Sequence, residues 1–125
     1  MEGLLDELVK IGILERVGDG YRVRVDFLEQ LLYAIPRFVE SFVSDPVELR
    51  KALVDEEELR KLFTEICMLM IIARSGRRTF REDYLLMLGG VLEKIFMDIY
   101  PDITASLLEI LRRSIESKLR SLRDG

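Results

Sequence analysis

From residue 26 to the C-terminus, apolar residues recur at helical spacing with hardly a break, and only residues 21–25 alternate strictly as a strand does. That asymmetry predicts a mainly α protein. An N-terminal helix and β-hairpin are expected over residues 1–25, followed by a bundle of about five helices over 26–125. With 125 residues, the two parts should form one continuous domain around a core of its own.

Local signals set the expected elements. Leu4, Leu5, Leu8, Val9 and Ile11 share helical spacing, and Gly12 follows as a C-cap. Residues 13–17 read as a short strand, and Gly18-Asp19-Gly20 as a tight turn that accepts positive φ. In the alternating segment, Tyr21, Val23 and Val25 share one face and Arg22 and Arg24 the other. Asp26 with Glu29 reads as a capping box opening a helix that Pro36 should kink or split. Ser44-Asp45-Pro46 marks a restart, and Asp55 caps the next helix, whose first turn holds Glu56, Glu57 and Glu58, as the helix dipole favours. Residues 66–73 are apolar all round and predict the most buried helix. Thr79 with Glu82 reads as another capping box, and Gly89-Gly90 interrupts the helix it opens. The last helix is expected over 103–122, with Leu107, Leu111, Ile115, Leu119 and Leu122 in one stripe.

Composition narrows the chemistry. The chain has no His, Trp or Asn, and only one Gln and one Cys. Zinc sites built on Cys and His, His-based triads and intramolecular disulfides are therefore excluded. The Glu-x-x-His motif of di-iron bundles needs His as well. Gly18 and Gly20 belong to a hairpin, not to a phosphate-cradling loop. The acids at 55–58 are consecutive, so on a helix they splay apart and cannot converge on one ion. Cys67 lies inside the apolar run and reads as a small buried hydrophobe in a reducing compartment. No catalytic group, metal or cofactor is expected. Scarce Asn, Gln and Cys beside abundant Glu, Arg and Lys is a hyperthermophile bias. The acidic N-terminus lacks the basic region of a cleavable signal. The longest apolar run, residues 66–73, is well short of the ~20 residues of a membrane span. A cytoplasmic protein without a membrane partner is expected.

The segment Leu-Leu-Asp-Glu-Leu-Val-Lys-Ile-Gly-Ile-Leu-Glu-Arg-Val-Gly-Asp-Gly-Tyr-Arg-Val resembles the back half of a winged-helix domain, of the kind found in archaeal and bacterial transcription regulators. The resemblance covers residues 4–25. It implies a recognition helix ending at Gly12 and a wing whose exposed positions, Arg16, Arg22 and Arg24, face the phosphate backbone of DNA. Met1 stands almost at the start of that helix, so the two helices that precede it in such domains are expected to be missing. Its exposed face is expected to carry Glu2, Asp6, Glu7 and Lys10, a net negative charge that repels phosphate. A helix and hairpin used for packing or dimerisation is the competing reading.

A second basic cluster comprises Arg74, Arg77, Arg78 and Arg81, with no acid among residues 74–81. Guanidinium forks beside a helix N-terminus could hold phosphate, nucleic acid or an acidic partner. The plainer reading pairs them with Glu82, Asp83 or the acids at 55–58. The net charge of −4 offers no general attraction to nucleic acid, so any such contact must be local. The charges near the C-terminus read as a solvated helix face, with Glu109→Arg113 and Glu116→Arg120 spaced as i,i+4 pairs, and Glu56→Arg60 and Glu57→Lys61 likewise.

Three functions remain in view. The leading one is a non-enzymatic interaction or assembly module, expected as a homodimer because one small bundle offers limited interior for so much apolar surface. Its interface is expected at Leu85, Leu88, Gly89, Leu92, Leu111, Ile115 and Leu119. The second is a nucleic-acid-binding regulator using the wing and the Arg74–Arg81 cluster. The third is a ligand-sensing helical domain with Met68, Met70, Met87, Phe63, Phe80, Tyr84 and Phe96 around a pocket.

Overall fold

A computed structural model describes residues 2–76 and 80–124. Among these residues the chain forms a mainly α domain with one antiparallel hairpin. Helix α1 (Glu2–Ile11) closes at Gly12, where φ is +90°. There the Gly12 N–H donates to the Val9 carbonyl and the Ile13 N–H to that of Leu8, both at 3.0 Å, which is a Schellman stop. Strands β1 (Leu14–Val17) and β2 (Gly20–Val23) pair with Leu14 opposite Val23 and Val17 opposite Gly20, across a turn with Gly18 at φ +60°.

The second strand stops two residues earlier than its alternation predicts. Ile13 already belongs to the closing turn of α1, so β1 has no residue left to extend the ladder. The Arg24 N–H instead reaches the Ile13 carbonyl at 2.9 Å, and Arg24 becomes the extended N-cap of α2 (Val25–Phe42). Val25 therefore opens a helix and is 68% exposed, not part of a sheet face. The expected Asp26–Glu29 capping box does not form, because the cap position has moved to Arg24, which makes no side-chain cap bond. Pro36 does not split α2. It lies on an exposed face, where the carbonyl one turn back can turn to water.

The next two helix starts follow their signals. Asp45 caps α3 (Pro46–Val54) by accepting from the Val47 N–H, and Asp55 caps α4 (Glu56–Ser75) by accepting from the Glu57 N–H, each at 3.0 Å. Helix α5 (Glu82–Ile99) begins at Arg81 without a side-chain cap, and Thr79 of the expected capping box lies outside the described residues. Helix α6 (Pro101–Asp124) begins two residues earlier than expected, with Pro101 in the first turn, where its missing N–H costs nothing.

Helix α4 is the hub and touches α1, α2, α3, α5 and α6, while α2 packs along α6. Phe27, Phe63 and Phe96 anchor a core to which every helix contributes. The expectation that residues 66–73 are covered all round is corrected, because α2 and α5 flank α4 and leave its outer ridge open. Leu69 and Ile72 on that ridge are 37% and 43% exposed. The charged residue Glu7, expected on an outer face, is buried because α1 packs against both α4 and α5.

The paired glycines of α5 have opposite environments. A Cβ on Gly89 would lie 2.6 Å from Met68 Cγ, whereas one on Gly90 meets nothing within 4 Å. Gly90→Ala should stabilise the fold by roughly 0.5–1 kcal/mol through helix propensity. Gly89→Val should destabilise it by about 1–3 kcal/mol through overpacking, and Met68→Ala in the same chain should restore part of the loss. Urea melts of the variants check both signs.

Candidate functional site

The arginines of the two expected clusters do not converge. In the hairpin, Arg16 bonds Asp6 of α1 and its guanidinium lies 5.2 Å from the Tyr21 ring, and Arg22 bonds Glu15 across the strands. Arg24 pairs with Asp26 at 3.0 Å. That hydrogen bond, followed by one from Arg74, holds the Asp26 carboxyl below the usual carboxylate range. Arg16, Arg22 and Arg24 are thus each matched with a carboxylate of the same chain.

Arg74 has a structural task. Its side chain is 15% exposed. Nη1 donates to the Gly12 carbonyl, Nε to Gln30 at 2.7 Å and Nη2 to Asp26 at 3.1 Å, and the guanidinium lies 5.4 Å from the Phe27 ring. One guanidinium therefore ties the end of α4 to the stop of α1 and the start of α2. Neither Asp83, Glu82 nor the acids at 55–58 are its partners. Arg81 pairs with Asp83 at 3.6 Å, and Arg77 and Arg78 lie outside the described residues. The helix-surface pairs hold in part. Arg113 meets Glu109 at 3.4 Å as spaced, but Arg60 reaches Glu93 of α5 at 3.2 Å and Lys61 takes Glu58 at 3.3 Å.

The expected dimer interface is corrected. Leu88, Leu92, Leu111 and Ile115 have no exposure, Gly89 faces Met68 of the same chain, and Leu85 and Leu119 are partly buried against the core. Periodicity identified these faces as buried, but the surface that buries them belongs to the same bundle. The Met and aromatic set is not gathered around one cavity either. Phe63 and Phe96 meet edge to face at 5.5 Å inside the core, Phe80 stacks on Tyr84 at 6.0 Å, and Met87 faces water. Cys67 is fully buried, and burial first, then the charge of Glu93, pushes its thiol far up, which makes it inert.

The structure does gather apolar side chains in a groove of about 620 Å³ between α2 and α4. Phe38, Ile66, Met70 and Ala73 are part of its lining, and Tyr33 and Phe42 stand on its α2 wall, 75% and 68% exposed. Phe42 is held there by stacking on Phe38 at 5.7 Å. Leu69 lines the α4 wall. The helices run antiparallel, since Arg74 at the end of α4 holds Gln30 and Asp26 at the start of α2. Sequence reading passed over Tyr33, while helical spacing counts Phe42 with the apolar face of α2, where the structure leaves it exposed. Among the described residues, no group of His, Cys, Asp or Glu is arranged to hold a metal ion, and no helix is long and apolar enough to cross a membrane. Comparison with protein families, curated proteins and solved structures finds no match.

Proposed function

We propose that this chain is a non-enzymatic assembly module, a helical bundle that pairs with a second copy of itself through the groove between α2 and α4. The observation that carries this reading is the exposure of Tyr33, Phe42 and Leu69 around one groove. Contiguous apolar surface of this kind marks a place where another protein docks. Fully burying a large apolar side chain is worth about 1.5–3 kcal/mol. Even at half that value, three such side chains from each protomer are comparable to the roughly 4–15 kcal/mol that association costs. A stable dimer needs roughly 800 Å² from each partner, a tenth of the 7820 Å² surface of the protomer.

Three further features fit the same reading. The helix and hairpin that resemble part of a winged-helix domain act as a packing element, because their arginines are spent on carboxylates of the chain. The buried, unreactive Cys67 fits a reducing cytoplasm. The scarcity of Asn, Gln and Cys fits a protein made to work hot.

Light scattering across a micromolar concentration series tests the proposal. The expected result is a dimer whose dissociation constant rises about tenfold or more in Leu69→Lys, since a lysine inside an apolar contact is expensive to desolvate. A monomer at every concentration overturns it. So does salt-dependent retention on DNA or RNA that is lost in an Arg77→Ala, Arg78→Ala variant, which is the behaviour of a nucleic-acid binder.

A further inference from the structure

The groove between α2 and α4 is charged as well as apolar, and its charge has one sign. Among the described residues its charged lining consists of two cations, Arg37 on the α2 wall and Arg74 at the end marked by Gln30. Arg74 is already spent on the Gly12 carbonyl, Gln30 and Asp26. Arg37 is exposed, and among the described residues it makes no hydrogen bond or ion pair within the chain. Acids nearby in sequence or across the groove are placed elsewhere. Glu40, one turn on from Arg37 in α2, lies against Lys118 of α6. Glu65 of α4 lines the groove on the α5 side, beside Arg60 and Lys61. A second copy brings the same cationic wall, so self-pairing offers Arg37 no carboxylate from the facing groove.

Resting on the reading of this groove as a docking face, we infer that it takes an amphipathic helix of another protein, one whose apolar face is flanked by carboxylates, and that this helix displaces the second copy. Both walls are helices whose backbone groups are bonded internally, so the groove has no strand edge for an extended peptide to join. Recognition must run through side chains. From Gln30 to Phe42 the α2 wall is about 18 Å long at 1.5 Å per residue, which matches a helix of about three turns. Laid between the two antiparallel walls, such a helix meets Phe38, Ile66, Leu69 and Met70 with its apolar face. A carboxylate at the edge of that face reaches the Arg37 fork, which holds a carboxylate by two parallel bonds. A second copy lacks that carboxylate, so the two occupants differ by one charge-assisted contact. Self-pairing and partner binding are then alternatives at one face, which makes the partner a regulator of assembly.

Two peptides of about 14 residues test the inference, alike in an apolar face of leucines at helical spacing and differing only in whether Glu or Lys flanks it. Titrated into the full chain by fluorescence anisotropy, the Glu peptide should bind about tenfold more tightly than the Lys peptide, and Arg37→Glu should reverse that order. The chain carries a net charge of −4, so long-range attraction favours the Lys peptide and a preference for Glu reports the local contact. Light scattering of the same samples should show the dimer giving way to a complex of one protomer with one Glu peptide. Arg37 is exposed, so circular dichroism melts should show the variant folded. Equal affinity for the two peptides, an order that Arg37→Glu leaves unchanged, or a dimer that persists with the Glu peptide bound overturns the inference. The assembly reading then still stands if the parent dimerises and Leu69→Lys disrupts it. A parent that is monomeric at every concentration yet binds the Glu peptide through Arg37 overturns self-pairing and leaves the docking helix in place.

Discussion

Truncating Phe96 to Ala lowers the unfolding free energy by about 3–5 kcal/mol, a drop of roughly 10–20 °C in melting temperature for a domain of this size. The side chain has no exposure and sits where α4, α5 and α6 meet, edge-on to Phe63 at 5.5 Å and 6.3 Å from the Tyr100 ring. The surrounding backbone is pinned. The Phe96 carbonyl accepts from the Thr104 hydroxyl at 2.7 Å and from the Tyr100 N–H at 3.1 Å, while the Tyr100 hydroxyl accepts from the Val23 N–H at 3.1 Å. A site held from three sides collapses poorly, so the cavity term should be near the upper end of its range. Phe96→Leu, which keeps most of the volume, should cost much less. In a double-mutant cycle, Phe63→Ala and Phe96→Ala should couple by about 0.5–1.5 kcal/mol. Strict additivity in urea denaturation would show that their edge-to-face contact contributes nothing beyond burial.

Features closed by neighbours in sequence were legible before any coordinates. Asp45 and Asp55 each cap the helix that follows them, Gly12 ends α1, and Glu109 meets Arg113 one turn away. All of these depend on partners within a few residues. Features decided by distant partners were not legible. Arg74 finds the Gly12 carbonyl 62 positions away, and nothing around residue 74 announces that contact. The stripe through Leu88, Leu92, Leu111 and Ile115 shows the same limit, because a period of 3.6 reports that a face is covered and is silent on which chain covers it. Leu69 and Ile72 fail in the opposite sense. An all-round apolar helix predicts full burial, and the short supply of flanking helices in a 125-residue bundle leaves one ridge in water. That ridge is half of the candidate site, so the site becomes visible only once the packing is known.

Arg74→Ala should destabilise the fold by about 2–4 kcal/mol, although the residue was a candidate for binding anions. Its loss leaves the half-buried Gly12 carbonyl without its charge-assisted donor, removes the bond to Gln30 and takes a cation from the face of Phe27. Arg74→Lys should recover less than half, because an ammonium cannot address three acceptors in the plane of a fork. The acid limb of stability carries a second signature. Asp26 has its carboxyl held below the ordinary range, by Arg24 first and Arg74 next. Its contribution is therefore present above the unfolded carboxylate range and is lost as pH falls through the depressed folded value. Between roughly pH 5 and pH 1, the parent should lose this contribution progressively, whereas Arg74→Ala should show a shallower decline that still retains the Arg24 share. Parallel melts of the two proteins down that pH series separate the outcomes. Equal slopes would mean that Arg74 acts through Gly12 and Gln30 alone, and an unchanged melting point at neutral pH would remove the latch altogether.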